Sequence, residues 1–133
     1  MSGPRQRVPS GTPWDAVVGY SRAVRVGPHV AVAGTAAVDD NGDVVAPGDA
    51  YAQTAFALLK VEAALVAVGA SLDDVVRTRI YVTDIAQWEA VGRAHGEAFG
   101  EARPAATMVE VARLIAPGLV VEVEADAIVT DGP

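Results

Sequence analysis

Residues 119–129 alternate apolar and polar side chains with a period of two. Val121, Val123, Ala125 and Ala127 fall on one side, and Glu122, Glu124 and Asp126 on the other. That period belongs to a β-strand with one apolar and one polar face. Val75 to Val82 alternates in the same way. Val76, Thr78, Ile80 and Val82 face one way, and Val75, Arg77, Arg79 and Tyr81 the other. The apolar faces of two such strands need a covering layer, and the segments around them have helical periods.

Tyr51 to Val68 is predicted to be a helix capped by Asp49 and ended by Gly69, with Ala52, Phe56, Leu59, Ala63 and Val66 as its stripe. Asp84 is placed to cap a second helix, with Gln87 at the capping-box position. Its stripe runs Ile85, Trp88, Val91, His95 and Phe99, with Glu89, Arg93 and Glu97 opposite. Ser21–Val26 and His29–Ala33 are short β-prone runs around a Gly27-Pro28 turn, and Thr107–Arg113 and Leu119–Val129 are the last two strands. Residues 1–13, rich in Pro, Gly, Arg and Ser, are expected to form a loose arm. The order β-β-α-β-α-β-β predicts one α+β domain over residues 1–133, a mixed sheet with two helices packed on one face.

Composition narrows the chemistry. The chain has no cysteine, which excludes disulfides, thiolate catalysis and Cys-type zinc sites. Its histidines are His29 and His95 alone, too few for a His-based metal site without carboxylate help. The acidic run Asp39–Asp43 lacks the spacing of a calcium loop and reads as a solvated turn. A formal net charge of −7 argues against nucleic acid as a partner. The N-terminus has no hydrophobic core of a signal peptide, and no apolar run reaches the roughly 18 residues of a membrane span. These observations imply a cytoplasmic protein with no membrane partner, no metal and no cofactor.

Pro104-Ala105-Ala106-Thr107-Met108-Val109-Glu110-Val111, followed by Val121-Glu122-Val123-Glu124-Ala125, resembles the C-terminal signature of the RidA/YjgF reactive-intermediate deaminases. Gly19-Tyr20, Val32-Ala33-Gly34, Val76–Asp84 and Trp88 match further pieces in the same order, so the resemblance runs from about Gly19 onward. It implies a chorismate-mutase-like fold and a homotrimer whose three intersubunit clefts bind a small metabolite. The implied reaction is hydrolysis (deamination) or tautomerisation of an imine, enamine or related unsaturated carbonyl compound.

Glu122 matches the family's pocket glutamate, expected to act as acid/base or to position water, and Tyr20 matches its pocket tyrosine. The other pocket positions depart from the pattern. Ala106 occupies the slot of the arginine that holds the substrate carboxylate, Ala33 that of a serine and Gly92 that of an asparagine. This marks a branch without the carboxylate arginine. A methyl cannot replace a charge-assisted bond worth roughly 1.5–3 kcal/mol, so weak activity on 2-aminoacrylate is expected. Ala33, Gly92, Ala106, Met108 and Trp88 are the expected substrate-binding positions.

Several readings stay open at this level. Arg103 is either a substitute clamp or an ordinary exposed arginine. His95 is either an assisting acid or base or a packing residue on its helix stripe. Glu122 either serves the site or pairs with Arg77 or Arg79, as Glu124 and Asp126 are expected to do. Arg113 reads as structural, and Trp14 either walls the cleft or staples the arm. The rival to an enzyme is a non-catalytic ligand-binding or protein-interaction module, and an endoribonuclease is the less expected third reading.

Overall fold

The computed structural model describes residues 5–130. Its elements run β1 (Gln6–Val8), β2 (Ala23–Val26), β3 (His29–Ala36), α1 (Ala50–Ala67), β4 (Val75–Val82), α2 (Trp88–Phe99), β5 (Ala105–Glu110) and β6 (Val121–Ile128). They form a six-stranded sheet in the order β1-β2-β3-β6-β4-β5. The last strand in sequence is inserted at the centre, antiparallel to both β3 and β4. β4 and β5 pair in parallel because α2 carries the chain back between them, as a parallel connection requires.

The alternation of β6 appears directly in its burial. Val121, Val123, Ala125 and Ala127 are buried in the core, while Glu122, Glu124 and Asp126 lie on the opposite, uncovered face. β4 occupies the predicted Val75–Val82, with one irregularity. Its register with β6 shifts between Val75 and Arg77, so Val75 and Thr78 are both buried and Val76 is exposed. Beyond the shift, Arg77, Arg79 and Tyr81 stand opposite Asp126, Glu124 and Glu122 on the uncovered face.

α1 differs from expectation in the face it buries. Its inward residues are Ala50, Gln53, Thr54, Ala57, Leu58, Val61, Ala64 and Leu65. The expected stripe lies on the other side, with Leu59 64% exposed and Val66 61% exposed. The helix is apolar nearly all round, so two stripes satisfy the helical period. Gln53 decides between them. It is fully buried, its Nε2 donating to the Val45, Ala46 and Gly118 carbonyls (3.2, 3.2 and 2.8 Å) and its Oε1 accepting from Val120 N–H at 2.9 Å. A side chain that fits the outside of a helix by type is here the tie between two loops. α1 reaches the length and mean hydropathy of a membrane span, but nearly half of it is buried inside the fold.

Other boundaries also shift. Asp84 does act as a cap, accepting from Ala86 N–H at 2.9 Å, but it starts a single tight turn over Ile85–Gln87. α2 begins after that turn, and Gln87 caps nothing with its side chain. Ile85 and Trp88 are therefore exposed, while Val91, Ala94 and Phe99 are buried. The strand expected at Thr107–Arg113 lies at Ala105–Glu110. The arm expected to be loose contributes β1, which pairs with β2 through Gln6–Arg25, Arg7–Val24 and Val8–Ala23. The order is thus β-β-β-α-β-α-β-β. Residues 1–4 of that arm lie outside the described residues.

The buried face of α1 can be tested by paired substitutions. Gln53→Ala strands the buried Val120 N–H without its partner and removes the tie between the two loops, and about 2–4 kcal/mol of loss in urea unfolding is expected. Leu59→Ala should change stability by no more than about 0.5 kcal/mol. The opposite ranking would return the expected stripe to the core.

Candidate functional site

The site is built around an irregularity in β3. Regular pairing with β6 breaks between Val32 and Thr35, which places Ala33 and Gly34 in a bulge. Bulges re-aim the chain and recur beside functional groups. Here Gly34 comes directly beneath the Glu122 carboxylate. A Cβ on Gly34 would stand 2.2 Å from Glu122 Oε2, closer than two such atoms can approach. The absence of a side chain at position 34 is what lets Glu122 occupy this place.

Arg22, immediately before β2, holds the bulge from the other side. Its Nη1 donates to the Gly34 carbonyl at 2.7 Å and to Thr35 Oγ1 at 2.9 Å. Thr35 passes its own hydroxyl proton to the Ala33 carbonyl at 2.8 Å, so the bulge is cross-braced. Nη2 of Arg22 donates to Tyr20 OH at 3.1 Å, and the guanidinium carbon lies 5.7 Å from the Tyr20 ring centre. Lys60 reaches the exit of the same strand from α1, donating to the Val38 carbonyl at 2.9 Å and more weakly to Ala36 at 3.5 Å. A cleft of about 500 Å³ opens beside Tyr20, lined by Arg5, Arg7, Asp15, Ser21 and Val24.

Electrostatics follow from these positions. Burial pushes the Glu122 carboxyl above its ordinary value of 4.5; the Arg22 charge opposes the rise and Glu124 adds to it. No hydrogen bond contributes to that balance. Burial lowers Lys60, and the neighbouring Arg22 lowers it further. The site therefore sets a carboxyl with a raised pKa in the field of a guanidinium that also holds a phenol.

The expected pairing of Glu122 with Arg77 or Arg79 does not form. Arg79 binds Asp126 at 3.0 Å and Glu124 at 3.5 Å, and Tyr81 OH donates to Glu124 at 3.0 Å. These partly exposed rungs contribute under about 1 kcal/mol each and leave Glu122 free.

A crystal structure of a member of the YjgF/YER057c/UK114 family from Mycobacterium tuberculosis has the same fold. It is 56% identical at a TM-score of 0.85, with 95% of this chain and all of that chain covered. The family model described as Endoribonuclease L-PSP matches residues 11–129. The chain belongs to the RidA/YjgF family. The YjgF gene product of Escherichia coli is 29% identical at a TM-score of 0.79, covering 92% of this chain and 98% of its own. A protein named 3-aminoacrylate deaminase RutC, from Acinetobacter baylyi, is 36% identical over 87% of this chain and 90% of its own length. The RidA/YjgF family thus contains a named deaminase.

Of the positions matched to RidA/YjgF relatives, the structure brings Tyr20, Ala33 and Glu122 together around Arg22 and Gly34. The others lie elsewhere in the chain. Ala106 and Met108 pair with Thr78 and Ile80, which puts them two strands from Glu122 and on the helix-covered side of the sheet. His95 is on that covered side too. Its Nε2 is 2.9 Å from Thr78 Oγ1 and its ring lies 4.7 Å from that of Phe99, while burial lowers its pKa. The sheet separates it from Glu122, and its contacts are those of a packed residue. Arg103 is exposed in the turn that follows α2, with φ at 44° and its Nε 3.4 Å from the Gly100 carbonyl. Gly92 has open space around it, and Trp88 is 56% exposed at the start of α2.

Arg22 and Lys60 were not among the sequence candidates. The one available signal for Arg22 was its spacing of two from Tyr20, which puts both side chains on one side of an extended segment.

Gly34→Ala tests the geometry. Its Cβ meets only the movable end of Glu122, so the protein should fold and assemble as the wild type does. Its crystal structure should show the Glu122 carboxylate displaced from the bulge. An unmoved carboxylate would contradict the close approach.

Proposed function

We propose that the protein is a cytoplasmic homotrimer that hydrolyses a small imine or enamine, with Glu122 as its acid/base. The observation that carries this reading is the half-buried Glu122 carboxyl, raised in pKa, held over Gly34 and bound by no neighbouring donor. Such a group costs stability, and it offers a proton acceptor at the edge of an open site.

Glu122 would take a proton from water as the water oxygen bonds to the imine carbon. The C=N electron pair moves to nitrogen and yields a carbinolamine. Starting from the protonated imine, this carbinolamine is neutral. Glu122 then returns the proton to nitrogen, an oxygen lone pair forms the C=O bond as the C–N bond breaks and ammonia leaves, and the hydroxyl proton passes back to Glu122. Tyr20 OH, oriented by Arg22, would hydrogen-bond the reacting nitrogen or oxygen. An enamine would first take a proton on carbon to become the imine.

A trimer is part of the same reading, and the exposed sheet edge supports it. β5 is an edge strand with Ala105, Ala106, Thr107 and Val109 exposed, open to pairing with or packing against a neighbouring copy. Position 106 would still offer only a methyl group. Turnover of 2-aminoacrylate, followed by semicarbazide trapping, is therefore expected to be weak beside arginine-bearing relatives.

Glu122→Gln is the decisive variant. Turnover of any accepted imine should fall by roughly 100-fold or more. A carboxyl raised in the folded state contributes stability that is present below its ordinary pKa and lost as pH rises through the folded value. Glu122→Gln should therefore melt no lower than the wild type at pH 7, and the difference should vanish below about pH 4.5. No turnover of any imine by the wild type would leave a binding module, unchanged turnover in Glu122→Gln would remove Glu122 as the acid/base, and a large loss of stability or trimer would make Glu122 structural.

A further inference from the structure

We infer that Arg22 anchors a carboxylate of the ligand, on the same chain and at the same bulge as Glu122. This deepens the proposed function and rests on it for the location of the site.

Arg22 is not saturated. A guanidinium has five N–H donors, and three are used, at Gly34, Thr35 and Tyr20. Nε and Nη2 each keep one N–H with no partner among the described residues. These two nitrogens form the side-on fork that matches a carboxylate bidentately. The other bonds fix the plane of the group, so the fork is pre-organised.

Charge points the same way. The chain carries 17 acidic residues against 10 Lys and Arg, yet the ion pairs among the described residues involve Arg79 alone. Arg22 and Lys60 instead bind carbonyls of one stretch of chain, at Gly34 and at Ala36 and Val38. Two cations thus stand at one strand end without a carboxylate in contact with either. Asp39 and Asp40 act on Lys60 only through space. Glu122 sits over Gly34 close enough to feel the Arg22 charge, and makes no ion pair with it. Bringing like charges together in a partly desolvated place is unfavourable unless an anion joins them. An anion gripped by Arg22 would lie beside Glu122 and carry its reacting carbon toward the carboxyl.

The ligand class is therefore a small organic acid, recognised by one fixed cation on the Glu122 side. Nothing at position 106 is required for this recognition.

The test uses the assembled protein and two probes, pyruvate and its uncharged amide. Each is titrated into isotope-labelled protein while the Gly34 and Thr35 amides and the Arg22 Nε–H are followed by NMR. Saturable shifts with pyruvate, and none with the amide at equal concentration, are expected. Arg22→Gln should weaken pyruvate at least tenfold, and raised salt should weaken it in the wild type. Because Arg22 also braces the bulge, Arg22→Lys is measured beside it. Arg22→Lys keeps the charge but loses the fork, and should bind between the other two. Equal affinity in wild type and Arg22→Gln, equal binding of the amide, or no saturable pyruvate shift in the wild type would each overturn the inference. Turnover separates this outcome from the reading it rests on. Loss in Glu122→Gln with unchanged pyruvate binding in Arg22→Gln removes the anchor alone, and intact turnover in Glu122→Gln removes the acid/base alone.

Discussion

The position of every polar group on the uncovered face of the sheet depends on β6 lying at its centre. Its valines and alanines fill the core beneath α1 and α2, and this fixes which way Glu122, Glu124 and Asp126 point. The same strict alternation separates two chemistries. Glu124 and Asp126 meet Arg79 and become ordinary surface ion pairs. Glu122, nearer the start of the strand, faces the bulge in β3 and meets Gly34 and the field of Arg22 instead. One irregular step in the neighbouring strand turns a third rung of the ladder into a partly buried carboxyl with a raised pKa.

That step has an energetic consequence. Glu122 is partly desolvated without a hydrogen bond in return, and Lys60 and Arg22 sit close enough to disfavour one another. A chain selected for stability alone would neutralise these groups or pair them. Their persistence around one bulge is the pattern expected where a ligand completes the electrostatics. The missing arginine at Ala106 gains meaning in this setting. A cation is still present, but it is supplied at Arg22 by the chain that supplies Glu122.

Much of this was legible in the sequence, for local reasons. β4 and β6 announce themselves by alternation, and Glu122 follows from it, since a period of two leaves no choice of face. The family resemblance added Tyr20 and Ala33. What stayed hidden depends on contacts distant in sequence. The buried face of α1 is chosen by Gln53, whose partners lie on loops near residues 45 and 118 and whose amide reads as surface. β1 is three residues in a stretch whose composition suggests a loose arm, and only pairing with β2 makes it a strand. Arg22 and Lys60 become site residues through the bulge, which has no period to betray it. His95, left open between acid/base and packing residue, lies on the covered side; a helix stripe shows that a residue faces the sheet and not which face of the sheet carries the chemistry.

The most direct measurement is the titration of the Glu122 side-chain carboxyl carbon by NMR in the folded, unliganded protein. A midpoint above the ordinary 4.5, moving higher still in Arg22→Gln as the opposing charge is removed, is the expected result. A midpoint at or below 4.5, or one that does not respond to Arg22, would contradict a desolvated Glu122 poised over Gly34 beside a fixed cation.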